Sequence, residues 1–147
     1  MSNEGKSSVN GFFESYRAAF EELNAPAITD LFTYPLQIIS DAGKISLTVI
    51  ETRDDWIEQV GQLLDMYQAI GFSSAHILEL AGTELSPRLI QAVVQWGLYD
   101  SAGSILYDFK AMYTLIMIND SLRIAAISHD EIPKYQACLS RLKSKRT

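Results

Sequence analysis

An aspartate, a lysine and a histidine in the C-terminal half of the chain are spaced so that they could exchange protons. Asp108 and Lys110 alternate within one long apolar segment, and His129 ends the next one. Paired as antiparallel strands, these segments and the one before them would bring the three side chains together beside Trp96. Buried in one cluster, they would shift one another's pKa values and could serve as acid, base and electrostatic anchor.

This cluster depends on the lengths of two turns. A three-residue loop at 101–103 would place Trp96 opposite Asp108, and a two-residue turn at 119–120 would place Lys110 opposite His129. A three-residue second turn would move His129 to the opposite face of the sheet. The simpler interpretation of the cluster is a surface ion pair at the sheet rim, which contributes under about 1 kcal/mol.

The other candidate groups indicate no metal or cofactor chemistry. His76 alternates with Leu78 and Leu80, so the pattern predicts that it shares their apolar face. A lone histidine on such a face is more often a core residue with one hydrogen bond than a base. With two histidines fifty residues apart and one cysteine, Cys138, we expect neither a metal site nor a disulfide. No phosphate loop or nucleophile elbow is present, and we expect no cofactor.

Composition predicts one ordinary globular domain over residues 1–147. Apolar residues make up 48% of the chain and charged residues 20%. The net charge is −6, and four of the twelve basic residues lie at the C-terminal end, Arg141, Lys143, Lys145 and Arg146. The rest is strongly acidic, which argues against nucleic-acid binding. Without a span of about 20 apolar residues or the apolar core of a signal peptide, we expect no membrane association and a cytoplasmic location.

The periodicity of the apolar residues changes near residue 73, from helical before it to alternating after it. A three- and four-residue spacing predicts a helix at Val9–Leu23, a short one that includes Phe32, and a third between Thr52 and Gly71. Strands are predicted at 36–40, 45–50, 74–81, 89–99, 104–118 and 122–129, and a closing helix at 133–143. Short loops between long strands favour antiparallel neighbours. The pattern predicts an α+β fold in which a curved antiparallel sheet wraps around the N-terminal helices.

Three strings in this order resemble the nuclear transport factor 2-like superfamily, which includes ketosteroid isomerases, SnoaL-like polyketide cyclases and scytalone dehydratase. They are FFESYRAAFEELNAPAITDLF, TRDDWIEQVGQLL and YDSAGSILYDFKAMYTLIMINDSLRIAAISHDE. The resemblance covers residues 8–131 and leaves 132–147 as a C-terminal helix and basic tail. It implies a cystatin-like cone with a pocket between helices and sheet, and frequently a dimer through the outer sheet face.

The resemblance does not carry over the ketosteroid isomerase residues. The catalytic tyrosine of that pattern falls near Ala19, the aspartate base near Ser40 and the second acid near Thr114. These three departures argue against ketosteroid isomerase activity.

The resemblance also implies which sheet face meets the pocket. It aims the even-numbered face of the 89–99 and 104–118 strands into the cone, and the expected ligand-pocket residues are Tyr16, Trp56, His76, Trp96, Met112 and Thr114. The odd-numbered face would point outward and form a homodimer interface through Gln91, Gln95, Tyr107, Phe109 and Tyr113.

Two functions therefore stay open at the level of sequence. One is a conical pocket that binds a small, largely apolar molecule, with or without proton-transfer catalysis of the isomerase, dehydratase or cyclase kind. The other is a non-catalytic dimeric association module. The sequence leaves open whether the chain is an enzyme.

Overall fold

A computed structural model describes residues 3–145, in which helices cover one face of a six-stranded sheet. The helices are α1 (Asn3–Glu21), α2 (Ala25–Thr29), α3 (Arg53–Ala69) and α4 (Glu131–Lys145). The strands are β1 (Phe32–Asp41), β2 (Ile45–Ile50), β3 (Phe72–Ser86), β4 (Leu89–Asp100), β5 (Ile105–Ile118) and β6 (Ser121–His129). The predicted α+β fold is confirmed. Arg146, part of the predicted basic tail, lies outside the described residues.

The sheet is mixed rather than purely antiparallel. Its strand order is β2-β1-β6-β5-β4-β3, and β1 pairs with β6 in parallel while every other pairing is antiparallel. The prediction of an all-antiparallel sheet is wrong because it followed only the short loops. The long connection between β1 and β6 leaves their relative direction free.

Local signals fix the ends of the helices that pack on this sheet. The Thr52 side chain accepts a hydrogen bond from the Asp55 backbone N–H at 3.2 Å and so caps α3. Gly71, with a φ of +82°, turns the chain away after this helix. The predicted second helix ends at Thr29, before Phe32, because the Ile124 N–H donates to the Leu31 carbonyl at 2.9 Å and starts the sheet there.

The core lies between α1, α3 and the covered, inner face of the sheet. The largest completely buried side chains come from both layers, and they include Phe13, Val60, Leu36, Val94 and Leu115. Helix α4 begins two residues earlier than predicted and packs against the end of α3 and the start of β5. Its Tyr135 hydroxyl donates to the Met66 carbonyl at 3.0 Å, and its Arg141 donates to the Leu106 carbonyl at 2.7 Å.

Two β-bulges change the strand registers that the turns alone would give. At the 101–103 loop, Tyr99 pairs with Ile105 as predicted, but Leu106 is an extra residue and Leu98 then pairs with Tyr107. The turn at 119–120 has two residues, with Ile118 opposite Ser121. Ala125 is a second extra residue, so His129 pairs with Ala111 and not with Lys110.

The first bulge inverts the predicted faces of β5. Asp108, Lys110 and Met112 are exposed on the outer face, and Thr114 lies there too, bonded to Gln91 at 3.1 Å. The predictions that these four side chains face the cone are wrong. Conversely, the aromatic side chains predicted for a dimer interface are buried on the inner face: Tyr107, Phe109 and Tyr113. Gln91 and Gln95 lie on the outer face.

A third bulge corrects the prediction for His76. Leu78 is the extra residue between Ile77, which pairs with Trp96, and Glu79, which pairs with Gln95. The alternation is therefore interrupted between His76 and Leu80. Leu80 packs against the core, whereas His76 is exposed and stacks on Tyr99 with ring centroids 4.4 Å apart.

Candidate functional site

A small cavity lies between the inner face of the sheet and helices α1, α3 and α4. Its volume is about 90 Å³, and most of its wall is aromatic or aliphatic. This space is large enough for several water molecules. A molecule with few non-hydrogen atoms fits it, whereas a fused multi-ring compound would require the wall to move.

One polar group of the cavity is the carboxyl of Glu131, a half-buried residue at the first position of α4. The Tyr67 hydroxyl donates to Glu131 Oε2, and the Tyr107 hydroxyl donates to the same oxygen at 2.8 Å. Helix α3 supplies Tyr67 and strand β5 supplies Tyr107. We call Glu131, Tyr67 and Tyr107 the acid cluster.

Burial decides the protonation of the acid cluster. Desolvation raises the pKa of Glu131 to about 7, although the hydrogen bonds from Tyr67 and Tyr107 act in the opposite direction. No cation among residues 8–145 forms an ion pair with this carboxyl; the Arg17 side chain, which also lines the cavity, pairs with Glu14 and Glu21. A carboxyl that titrates near neutral pH can both release and return a proton under ordinary conditions.

His129 lines the same cavity beside the acid cluster. Its Nδ1 accepts a hydrogen bond from the Glu131 backbone N–H at 3.2 Å, which assigns the proton of the neutral ring to Nε2. Burial lowers the pKa of His129, and the charge of Asp130 opposes this shift only in part. The imidazole is therefore neutral near pH 7 and contributes a polar N–H rather than a positive charge.

The second polar feature is a set of aromatic donors on α1, β4 and β5. The Trp96 Nε1–H donates to the Tyr113 hydroxyl oxygen at 2.8 Å, and Tyr16 also forms a hydrogen bond with this hydroxyl. Burial raises the pKa of Tyr113, and the two hydrogen bonds partly offset the shift. We call Tyr16, Trp96 and Tyr113 the phenol cluster. Because the Tyr113 oxygen accepts from the Trp96 N–H, its own hydrogen is left to donate.

The charge of Glu131 links the two clusters. It contributes to raising the pKa values of both Tyr16 and Tyr113, so the carboxyl and the two hydroxyls lie within electrostatic reach of one another. All of these side chains line the cavity except Tyr107, which reaches it through Glu131. A ligand in the cavity would meet an acid on one side and a hydroxyl donor on the other.

Trp56 adds an unpaired donor to the wall. Its ring packs against Phe32 with centroids 5.4 Å apart, and its indole nitrogen is buried with no hydrogen-bond partner. Among the side chains of residues 8–145 it is the one buried nitrogen or oxygen without a hydrogen-bond partner.

The structure brings four of the nine predicted site residues to the cavity: Tyr16, Trp56, Trp96 and His129. The proposed catalytic cluster of Asp108, Lys110 and His129 does not form. Asp108 instead accepts a hydrogen bond from Gln95 at 3.1 Å on the outer face, and Lys110 bonds through its backbone N–H to Asp130 at 3.0 Å. His76, Met112 and Thr114 also lie away from the cavity, for the reasons of register given above.

Sequence reasoning missed Glu131, two tyrosines that line the cavity with it, Tyr67 and Tyr113, and Tyr107, which donates a hydrogen bond to Glu131. Glu131 follows His129 and Asp130 in a polar string that is typical of a solvated loop. A better signal was present in β5, where aromatic residues at 107, 109 and 113 alternate with polar or flexible ones. That alternation by itself indicates which face is buried.

Neither a metal site nor a membrane span is visible in the described part of the chain. Among residues 8–145, no group of three or more histidine, cysteine, aspartate or glutamate side chains could hold a metal ion. Likewise, none of the four described helices is long and apolar enough to cross a membrane.

Comparison with known families places most of the chain in one of them. Residues 4–131 match the model of a family described as NTF2-like protein (DUF6841). No curated protein matches significantly.

Solved structures resemble the chain in fold at low sequence identity. An NTF-2 like protein of unknown function from Shewanella oneidensis has a TM-score of 0.67 at 13% identity, over 86% of this chain and 98% of that one. A domain with a cystatin-like fold from Nostoc punctiforme has a TM-score of 0.67 at 13% identity, over 98% and 88%. The protein Aln2 from a Streptomyces species has a TM-score of 0.69 at 11% identity, over 100% and 99%. At these identities the likeness shows the fold alone.

Proposed function

The chain belongs to the NTF2-like family DUF6841, and from this premise we propose that its cavity binds a small, largely apolar carbonyl compound and moves a proton on it. The observation that supports the proposal most is the joint position of Glu131 and Tyr113 in one apolar cavity. One is a carboxyl with a pKa of about 7, and the other is a hydroxyl whose hydrogen is left to donate.

In this mechanism the two clusters have different tasks. The ligand's carbonyl oxygen accepts a hydrogen bond from the Tyr113 hydroxyl, while the ionised Glu131 removes a proton from the carbon next to the carbonyl. The negative charge that develops on the oxygen is stabilised by Tyr113, whose hydroxyl is polarised by the hydrogen bond that its oxygen accepts from Trp96. Glu131 then returns the proton to the same or another carbon, so no cofactor or other reactant is consumed.

The cavity volume limits the substrate. About 90 Å³ is less than the engineered cavity of about 150 Å³ that admits benzene. The proposed substrates are therefore small acyclic carbonyl compounds rather than steroids or polyketides. The aromatic wall favours their apolar part, and the two clusters orient their oxygen.

The test follows the exchange of the α-protons of butan-2-one for deuterium by NMR in D2O. The protein should accelerate exchange over buffer, and Glu131→Gln should slow it by about 100-fold or more, as expected for loss of a general base. Tyr113→Phe should slow it by about 100-fold through loss of the oxyanion donor. Exchange should rise as the pH is raised through about 7, because the base must be ionised.

The matched control is Asp108→Asn, which also converts a carboxylate into an amide but lies on the outer face. It should leave exchange unchanged. An exchange rate equal to that of buffer, or a loss in Asp108→Asn as large as the loss in Glu131→Gln, would contradict proton transfer. If the ketone still binds without exchange, the protein is a binding protein rather than an enzyme.

We also propose a second function, self-association through the outer sheet face. Met112 is exposed on this face between the polar pairs Gln95–Asp108 and Gln91–Thr114, and Leu78 is exposed beside Gly97. Apolar side chains ringed by paired polar groups are a common composition for an interface. Tyr107, Phe109 and Tyr113, which the sequence analysis predicted at a dimer interface, do not contribute to this one because they are buried in the core.

Sedimentation of matched variants tests the association. Met112→Glu should convert a dimer into a monomer, because it would bury two charges at the interface. Met66→Glu is the control, since Met66 is 41% exposed on α3 and Met112 is 44% exposed on β5. A wild-type protein that sediments as a monomer at micromolar concentration would rule out this function.

A further inference from the structure

We infer that small molecules reach the cavity from a surface groove between α1 and β3, through an opening that a side-chain bridge keeps closed. Arg17, Glu21 and Ala75 form this bridge, and we call it the α1–β3 bridge. The inference rests on the proposed function in one respect only, namely that the molecule entering is the substrate. It adds a means of controlling access to the same cavity.

The groove and the cavity are separated by a wall that is one residue thick. The groove is lined by Glu14, Arg17, Ala75, His76 and Ile77. Two of these residues, Arg17 and Ala75, also line the cavity. Because the same two residues bound both spaces, a movement of the Arg17 side chain would connect the groove to the cavity.

One carboxylate oxygen holds the two sides of this wall together. Glu21 Oε1 lies 2.8 Å from Arg17 Nη1 and accepts a hydrogen bond from the Ala75 backbone N–H at 2.9 Å. Strand β3 is the last strand of the sheet, so its outer edge has no neighbouring strand among residues 3–145. Glu21 supplies the acceptor that such a strand would otherwise offer. The end of α1 is thereby tied to the edge of the sheet.

The bridge is easier to open than the apolar parts of the cavity wall. Its two charged side chains are 25% and 29% exposed, so water screens their attraction and can replace their contacts. Other half-buried parts of the wall, such as Ile38 and Leu63, are apolar and pack against the core. Moving those side chains would expose apolar surface to water, a cost that opening the bridge avoids.

Arg17 keeps a partner when the bridge opens. Its Nε lies 3.1 Å from Glu14 Oε2, in addition to the contact of its Nη1 with Glu21. Glu14 lines the groove but not the cavity. Breaking the contact with Glu21 therefore leaves the guanidinium with a counter-ion on the groove side, and the open state does not require an isolated charge.

Fluorescence quenching measures access to the cavity without using its chemistry. Acrylamide is neutral and has as many non-hydrogen atoms as butan-2-one. Trp96 lines the cavity and is 3% exposed, and Trp56→Phe makes it the one tryptophan of the chain. In this parent variant, adding Glu21→Ala should raise the rate constant for quenching of Trp96 by about two- to fivefold, as expected when a partly exposed ion pair no longer favours the closed state.

Glu14→Ala in the same parent is the matched control. It removes the other carboxylate that contacts Arg17 and leaves the bridge in place, so its quenching should equal that of the parent. Salt provides a second measurement: NaCl at about 1 M screens the ion pair and should raise quenching in the parent but not in Glu21→Ala. Urea unfolding establishes that all variants are folded under the quenching conditions.

The outcomes separate the inference from the proposed function. If quenching is the same in the parent, Glu21→Ala and Glu14→Ala, or rises equally in both glutamate variants, the inference is overturned and the proposed function is unaffected. A parent that does not respond to salt would also overturn it, because the closed state would not depend on the ion pair. If Glu21→Ala and salt raise quenching but the protein exchanges no ketone protons, the bridge controls access and the proposed function fails.

Discussion

The acid cluster and the phenol cluster are both buried, and both are built from tyrosine hydroxyls, yet only one of them titrates near neutral pH. Burial raises the pKa of Glu131 to about 7, into the physiological range. The same effect raises the pKa values of Tyr16 and Tyr113, which already lie above it. Desolvation thus turns a carboxyl into a group that changes charge at pH 7 and fixes the phenols as neutral donors. Three predictions test this difference.

The largest expected effect is on the pH dependence of stability. The folded protein keeps the Glu131 proton up to about pH 7, whereas the unfolded chain releases it near the ordinary carboxyl pKa of about 4.3. The contribution of the protonated Glu131 carboxyl to the free energy of unfolding is complete below about pH 4 and is lost as the pH rises to about 7. Between pH 5 and pH 8 this group should cost the folded state about 2 kcal/mol, measured by urea unfolding at both pH values.

Glu131→Gln should remove this pH-dependent loss, because an amide does not titrate. Glu58→Gln is the matched control, since Glu58 is exposed on α3. Its unfolding free energy should fall between pH 5 and pH 8 as that of the wild type does. The same decline in all three proteins would show that Glu131 is ionised in the folded state well below pH 7.

A smaller effect, independent of pH, is expected from the phenol cluster. Tyr113→Phe removes the acceptor of the Trp96 N–H and leaves that buried donor unpaired. Unfolding free energy should fall by about 1–2 kcal/mol at pH 5 and pH 8 alike. Tyr99→Phe, on the outer face beside His76, serves for comparison and should cost less than about 0.5 kcal/mol. If the loss of unfolding free energy in Tyr113→Phe differed between pH 5 and pH 8, the phenol cluster would also titrate in this range, contrary to the prediction.

The smallest effect is a change within the acid cluster. The hydrogen bond from Tyr107 lowers the pKa of Glu131, so Tyr107→Phe should raise that pKa further above its ordinary value, by roughly half a unit to one unit. A ¹³C NMR titration of the Glu131 carboxyl measures it directly. Tyr113→Phe should leave this titration within about 0.2 units of the wild type, since Tyr113 makes no hydrogen bond to Glu131. A fall in the pKa on Tyr107→Phe would mean that the phenol does not stabilise the ionised form.

Much of the fold was predictable because its signals are local. The apolar stripe of α3, its Thr52 cap and the strand–turn pattern after residue 73 are all contained in short windows of sequence. The buried face of β4 was likewise predictable, because Ala92, Val94 and Trp96 occupy alternate positions along the strand. The parallel pairing of β1 with β6 depends on contacts between residues far apart in the sequence. No short turn joins these two strands, so the sequence carries no local signal for it.

The site was less predictable because it depends on strand register. Turn lengths gave the correct pairing beside each turn, but a bulge such as Leu106 has no distinctive residue type, and one extra residue exchanges the two faces of a strand. The alternation of Tyr107, Phe109 and Tyr113 with Asp108 and Lys110 indicated the true faces. Glu131 could not be found in this way, because its burial depends on tyrosines 24 and 64 positions away.

The bulge at Leu106 gives the chain one residue of slack between the turn and the cavity. Deleting this leucine would remove the bulge and leave Leu98 opposite Tyr107 and Trp96 opposite Phe109, as they are now. If Leu106 were kept but paired regularly, the aromatic row would rotate to the solvent, and Asp108 and Lys110 would face the lining. For homologous chains it follows that a one-residue gap in an alignment between 100 and 107 is compatible with the same cavity.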